Sequence, residues 1–229
     1  ERYLTRLAPY EDQPFTALNT AFLRDGAFLK IPAHAVIEQP IHLLFVATAD
    51  QKATVHHPRV LILAGENSQA RIVESYAGPR DARYFTNAVT EIATGPSAVI
   101  DHYKLLLDSF QAFHIAATHI RLARSANFSS HSVTLGGGIV RNDVGVVLDG
   151  EGIDCTLNGL YLANDRRLVD NHTTIHHARP HCCSHELYKG ILDGQAHAVF
   201  NGKIVVAIDA QKTDAKQTNK ALLLSEDAQ

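Results

Sequence analysis

The chain has 229 residues, 45% of them hydrophobic and 20% charged, which is enough apolar sequence for one large core or two small ones. Its 21 basic and 24 acidic residues leave a formal charge of -3, so no global field draws in nucleic acid or an anionic membrane surface. The longest apolar run, PIHLLFVATA from Pro40, is too short to span a bilayer, and no charged-then-apolar leader opens the chain; a soluble protein with neither nucleic-acid nor membrane partners is expected.

The first element in chain order is a helix. In PFTALNTAFLRDG, Phe15, Leu18, Ala21 and Phe22 recur at helical spacing, Thr16 stands near the start and Gly26 where a C-cap would fall, which predicts an amphipathic helix over Phe15 to Arg24. After it come short runs rich in Val, Ile, Leu and Thr, closed by Gly, Asn, Asp or Pro. They begin at Arg59, Ala70, Phe85, Ala98, Ala112, Asn127, Ile139, Ile153 and Ala198, and read as strands of an all-β protein. Asn-Gly and Asp-Gly steps before NGLYLA, DGQAHAVF and NGKIVVA favour stacked coils. The period is irregular, so a sandwich and a solenoid stay equally open on pattern alone.

The densest chemistry lies in DNHTTIHHARPHCCSHELYKG, Asp170 to Gly190. Strand alternation puts Val169, Asn171, Thr173, Ile175 and His177 on one, more apolar face, expected inward, with Asp170, His172, Thr174 and His176 opposite. Beyond the Ala-Arg-Pro turn, His181, Cys183, His185 and Leu187 separate from Cys182, Ser184, Glu186 and Tyr188. Adjacent cysteines on opposite faces cannot close one zinc centre. His181, Cys183 and His185 remain a candidate metal trio on a shared face, the other histidines reading as polar ladder and surface residues. Cys155, Cys182 and Cys183 are odd in number and suggest a reducing cytosol, with the inward thiol a small hydrophobe.

Elsewhere the signals are weak. His102, Asp108 and His114 have no motif spacing and read as surface groups, and Gly136 to Gly138 precede no helix, which makes them a tight turn and no phosphate cradle. No Gly-x-Ser-x-Gly, His-Glu-x-x-His or Walker sequence is present. The closing run ALLL, Ala221, Leu222, Leu223 and Leu224, reads as an exposed strand able to pair with another chain. Methionine is absent and the chain opens on Glu1, so it is expected to be part of a longer product.

Three stretches carry a resemblance. HTTIHHARPHCCSHELYKGIL, AVFNGKIVV and DAQKTDAKQTNKALLLSEDAQ, with PFTALNTAFLRDGAFLKIPAHAVIEQPIHLLF earlier, are similar to the SufB/SufD family of iron-sulfur cluster assembly scaffolds, and closer to its SufD branch, from Pro14 to Gln229. The resemblance implies a right-handed parallel β-helix, with residues 1–30 as an N-terminal helical cap and 31–229 as the core. It implies a non-catalytic subunit pairing with a SufB-type subunit and a SufC-type ATPase, in the cytoplasm, or in the plastid of a plant or alga; in isolation a homodimer is open to it, and the sequence does not fix the oligomeric state. It implies no stably bound cofactor, only a transient iron-sulfur cluster at the interface of the full complex. The cluster residue and the ATPase-docking helices are expected beyond Gln229. The alternatives are a right-handed β-helix enzyme acting on polysaccharide, disfavoured by scattered acids such as Asp149, Glu151 and Asp193 and by the lack of Trp, and a His-rich metal-binding module.

Overall fold

The computed structural model describes residues 4–48 and 54–229. One helix, α1 (Pro14–Ala21), precedes a long series of strands. They are β1 (Asp25–Ile31), β2 (Ile41–Val46), β3 (Thr54–His56), β4 (Pro58–Ala64), β5 (Gln69–Ala77), β6 (Tyr84–Thr94), β7 (Val99–Leu107) and β8 (Phe113–Leu122). The series continues with β9 (Asn127–Thr134), β10 (Ile139–Leu148), β11 (Asp154–Ala163), β12 (Leu168–His177), β13 (Cys183–Leu192), β14 (His197–Val206) and β15 (Asp214–Leu223). From β4 onward the strands alternate between two sheets. One runs β1-β4-β6-β8-β10-β12-β14, with β3 beside β6, and the other β15-β13-β11-β9-β7-β5-β2. Every pairing is parallel, for example Ile139 on Phe113 and on Leu168. Parallel neighbours two strands apart in sequence are the signature of a coil, which decides for the solenoid over the sandwich. The protein is a parallel β-helix, in the right-handed sense that parallel crossovers take.

The registers explain why no repeat is visible in the sequence. Successive coils place Asp25 on Pro58 and Phe113 on Ile139, so a turn of the helix consumes from 26 to 33 residues. The corner that closes each coil is fixed by backbone conformation and not by residue type. His34, Asn67, Ser97, Ser125, Gly152, His181 and Lys212 all have positive φ, from 54° to 67°. His34, Asn67, Ser97, Ser125 and His181 each donate their N–H to a carbonyl of the following coil, of Glu66, Pro96, Arg124, Glu151 and Gln211 respectively. A left-handed corner ordinarily selects Gly or Asn; here the inter-coil hydrogen bond holds His and Ser there as well.

Between the sheets lies a lumen filled by one continuous core, from Ile31 and Val60 at one end to Leu192 and Ala196 at the other. Two tyrosines lock its later coils in register. Gly159 of β11 pairs with Tyr188 of β13, and Tyr161 of β11 with Gly190 of β13, so each ring lies over the glycine of the adjacent coil. A Cβ added at Gly190 would collide with the Tyr161 ring, and one at Gly159 with the Tyr188 ring. Gly190→Ala is therefore expected to lower stability by about 1–3 kcal/mol as overpacking. Urea denaturation checks this, and Tyr161→Leu in the same chain should relieve most of the loss.

The N-terminal segment differs from the sequence expectation. The helix ends at Phe22, whose N–H reaches the Leu18 carbonyl, and Gly26 is a strand residue of β1 pressed against the Arg59 backbone; it caps no helix. The face α1 buries is polar. Thr16 and Asn19 are its buried residues, while Phe15 and Phe22 stay 40% and 56% exposed. Asn19 donates to the Pro58 and Asn87 carbonyls at 2.9 and 2.8 Å, and Asn87 returns a bond to the Phe15 carbonyl at 2.9 Å. Hydrogen bonds to the outer face of the first sheet thus dock the helix along the flank of the coil. The segment before it is held by Glu91, whose carboxylate accepts the N–H groups of Thr5, Leu7 and Ala8.

Candidate functional site

Strands β12 and β13 and the turn between them carry the histidine and cysteine cluster. The alternation read from sequence is the one observed: Val169, Asn171, Thr173, Ile175 and His177 are buried in the lumen, and Thr174 is exposed. The cluster divides three ways. His177 faces inward and meets Ser184 of β13 across the lumen at 2.8 Å. His172 faces outward and joins a surface network, 2.8 Å from Asp170, which Arg141 also binds while gripping Asp143 through two nitrogens. His176 lies on the same outer side, where it lines a cavity of about 320 Å³ with His119, Arg121, Thr174 and Arg6.

The candidate trio occupies the outer side of one coil. His181 is the left-handed corner residue, Cys183 is half-buried, and His185 stands 3.5 Å from Asp214 of the next coil. Among the described residues no three His, Cys, Asp or Glu side chains converge as a metal-holding group. Cys182 is buried, with its thiol donating to the Gly150 carbonyl at 3.1 Å, and burial raises its pKa. Cys155 is a lumen residue whose thiol burial pushes far up. Both are packing residues.

A second cluster lies in the earlier coils, where the sequence reading saw surface groups. His102, Asp108 and His114 are all buried. Glu74 of β5 accepts the Tyr76 hydroxyl at 2.6 Å and the Thr90 hydroxyl at 3.1 Å, and stands 3.4 Å from His102, whose other ring nitrogen is 3.2 Å from the Ser130 hydroxyl. Lys104 lies over the Tyr76 ring. Asp108 accepts the Tyr84 hydroxyl at 2.9 Å and pairs with His114 at the same distance. Burial alone would raise the Glu74 carboxyl, but His102, Lys104 and Tyr76 outweigh it and hold the group down at about 2. In β7 both alternate sets, Ile100, His102, Lys104, Leu106 and Val99, Asp101, Tyr103, Leu105, mix polar with apolar residues. Alternation alone therefore gave no sign of which set faced the lumen.

The glycine run is a corner whose carbonyls are already taken. Gly137 has φ +86°, and the Arg167 guanidinium binds the carbonyls of Leu135, Gly136 and Gly137 while lying over the Phe110 ring. The ALLL segment is where an interaction strand would be. β15 is the edge of its sheet and is exposed along its whole length, with Leu222 at 57%, Leu223 at 50% and Leu224 at 58% exposure. Leu224 still donates its N–H to the Leu192 carbonyl, so the strand is held in the coil by one edge only.

Comparison with known proteins places this architecture. Residues 45–229 match the family described as SUF system FeS cluster assembly, SufBD core domain, and residues 1–43 match the SufBD protein N-terminal region. The chain belongs to the SufBD family. It is 35% identical over 95% of its length to an iron-sulfur cluster assembly SufBD family protein of Synechocystis, and 33% identical over 80% to the iron-sulfur cluster assembly protein SufD of Escherichia coli. It is 29% identical over 92% of its length to the chloroplastic protein ABCI7 of Arabidopsis thaliana. It spans 50%, 43% and 46% of those three relatives, about half of each. No helix among the described residues is long and apolar enough to cross a membrane.

Proposed function

We propose that this SufBD chain is the β-helical core of a non-catalytic scaffold subunit of the Suf assembly, which pairs with a SufB-type subunit and works with a SufC-type ATPase. The iron-sulfur cluster is then cargo built on the complex, at a site shared with the partner. The observation that carries this reading is the match of residues 45–229 to the SufBD core domain, and among the described residues β15 lies at the edge of its sheet with both faces exposed. Such a strand is a template for strand addition, in which main-chain hydrogen bonds supply affinity and alternate side chains supply fit. The dense polar groups elsewhere support a structural role. Glu74, Asp108 and Glu91 are all spent on buried internal partners.

Leu222 lies on the outer side of β15, Leu223 pairs in register with the lumen residue Leu192, and Leu224 follows the strand as a further exposed leucine. Leu222→Asp with Leu224→Asp is expected to weaken binding to a SufB-type partner by at least tenfold, as an interface core strand with two unpaired charges would. Titration calorimetry with the full-length partner checks it, and unchanged affinity removes this surface from the interface.

A further inference from the structure

The lumen contains two carboxylates with opposite provisions. Glu74 is surrounded by Tyr76, Thr90, His102 and Lys104, as described above. Glu186 of β13 is 4% exposed; the Thr173 hydroxyl approaches its carboxylate, but neither oxygen has an aligned hydrogen-bond partner among the described residues. On the lumen side of the same coils Thr173 Oγ1, Asn142 Oδ1 and the ring nitrogen His177 Nδ1 are also orphaned. The inward side chains of β10 to β15 include no Lys or Arg. The titratable groups whose charge couples to Glu186 are Tyr188 on its own strand and Cys155 on β11, while His177 of β12 meets the adjacent inward residue Ser184. Burial keeps all three neutral, raising Tyr188 and Cys155 and lowering His177. On β15, Gln217 lies in register on Glu186, and its amide extends over Gly202 of β14, whose missing side chain leaves the space. Glu186 is thus buried among neutral oxygens, beneath the exposed Gln217 amide, without a Lys or Arg beside it. A buried carboxylate in that position is costly unless something positive joins it.

We propose that the lumen carries a site for one positive charge, a proton or a monovalent cation, held by the Glu186 carboxylate with Thr173 beside it and Gln217 as its lid. A single charge is the balanced occupant, because the carboxylate contributes one negative charge and the remaining groups are neutral oxygens. A divalent ion would leave excess charge in the lumen, since the inward side chains of β10 to β15 include no second acid to offset it. Burial pushes the Glu186 carboxyl up to about 7, with the Thr173 hydroxyl opposing the shift. A proton therefore fills the site below neutrality, and a cation competes for it above.

The test uses the purified protein and its Glu186→Gln variant, melted at about pH 8 and about pH 5.5 in choline chloride, sodium chloride or potassium chloride at equal ionic strength, alongside a carbon-13 NMR titration of the wild-type carboxyls. In choline at the higher pH the wild type should melt at least about 4 °C below the variant, and the gap should close at the lower pH. Restoration by sodium or potassium, absent in the variant, identifies a cation. A carboxyl titrating near neutrality without cation dependence identifies the proton. A wild-type carboxyl that titrates in the ordinary Glu range, with melting indifferent to cation, overturns the proposal, and this reading stands even if the variant fails to fold.

Discussion

Replacing Glu91 with Ala is expected to release the N-terminal segment from the flank of the β-helix, at a cost of about 3–5 kcal/mol for leaving a buried partner uncompensated. Glu91 is fully buried on the outer face of β6 and holds two things at once. Its carboxylate accepts the N–H groups of Thr5, Leu7 and Ala8 at 3.1 to 3.2 Å. It also binds Arg59, whose Nε donates at 2.9 Å while Nη2 stands 2.7 Å away as an ion pair without hydrogen-bond alignment. Arg59 in turn reaches Asn19 and Thr20 of α1, so one carboxylate secures both the segment and the helix. Hydrogen exchange in Glu91→Ala should lose protection at the Thr5, Leu7 and Ala8 amides while the later coils keep theirs. Retained protection at those amides would show that apolar contacts such as Ala8 on Val89 and Ala117 dock the segment.

The second large effect belongs to Glu74 and depends on pH. Its folded-state pKa of about 2 lies below the ordinary value of 4.5, so its contribution is fully present above the unfolded value and fades as pH falls through the folded one. The shift corresponds to roughly 3 kcal/mol, an order-of-magnitude figure for a coupled buried group. Glu74→Gln should therefore be less stable than wild type by about that amount at neutral pH, because Lys104 loses its counter-charge and His102 its carboxylate partner. Urea denaturation at a series of pH values should show the difference shrinking between pH 4.5 and pH 2 as the wild-type carboxyl protonates. Asp108 is also held low by His114, against its burial, and lies in both proteins, so its own acid loss cancels in the comparison. A difference independent of pH would mean that packing and not charge makes Glu74 important.

Much of the fold was legible because strands announce themselves locally. Each run from Arg59 to Ala198 is a strand, and the alternation at Val169 to His177 assigns the buried face, since Val169 and Ile175 fall on one side and no aliphatic residue on the other. The coil itself was not legible from periodicity. Its corners accept His, Asn, Ser, Gly and Lys at one left-handed position, and its turns vary in length, so neither composition nor spacing repeats. The family resemblance supplied the β-helix that pattern left undecided. The helix was found and its face misjudged, because Asn19 and Thr16 make the contacts that the Phe15, Leu18 and Phe22 stripe was expected to make. The polar lumen was missed for a different reason. His102, Lys104, Asp108 and His114 become one network only when Glu74, Tyr84 and Thr90 from neighbouring coils close around them, and partners 16 to 28 residues apart leave no motif.

The central claim, that this chain works by association as a β-helical scaffold, is tested most directly by purifying the full-length protein from cells together with whatever it binds. The account predicts a stoichiometric complex containing a second SufBD family subunit and an ATPase, and its loss with the Leu222→Asp, Leu224→Asp pair while the chain stays folded. A wild-type protein recovered folded and alone, under conditions where the second subunit is present, would contradict it.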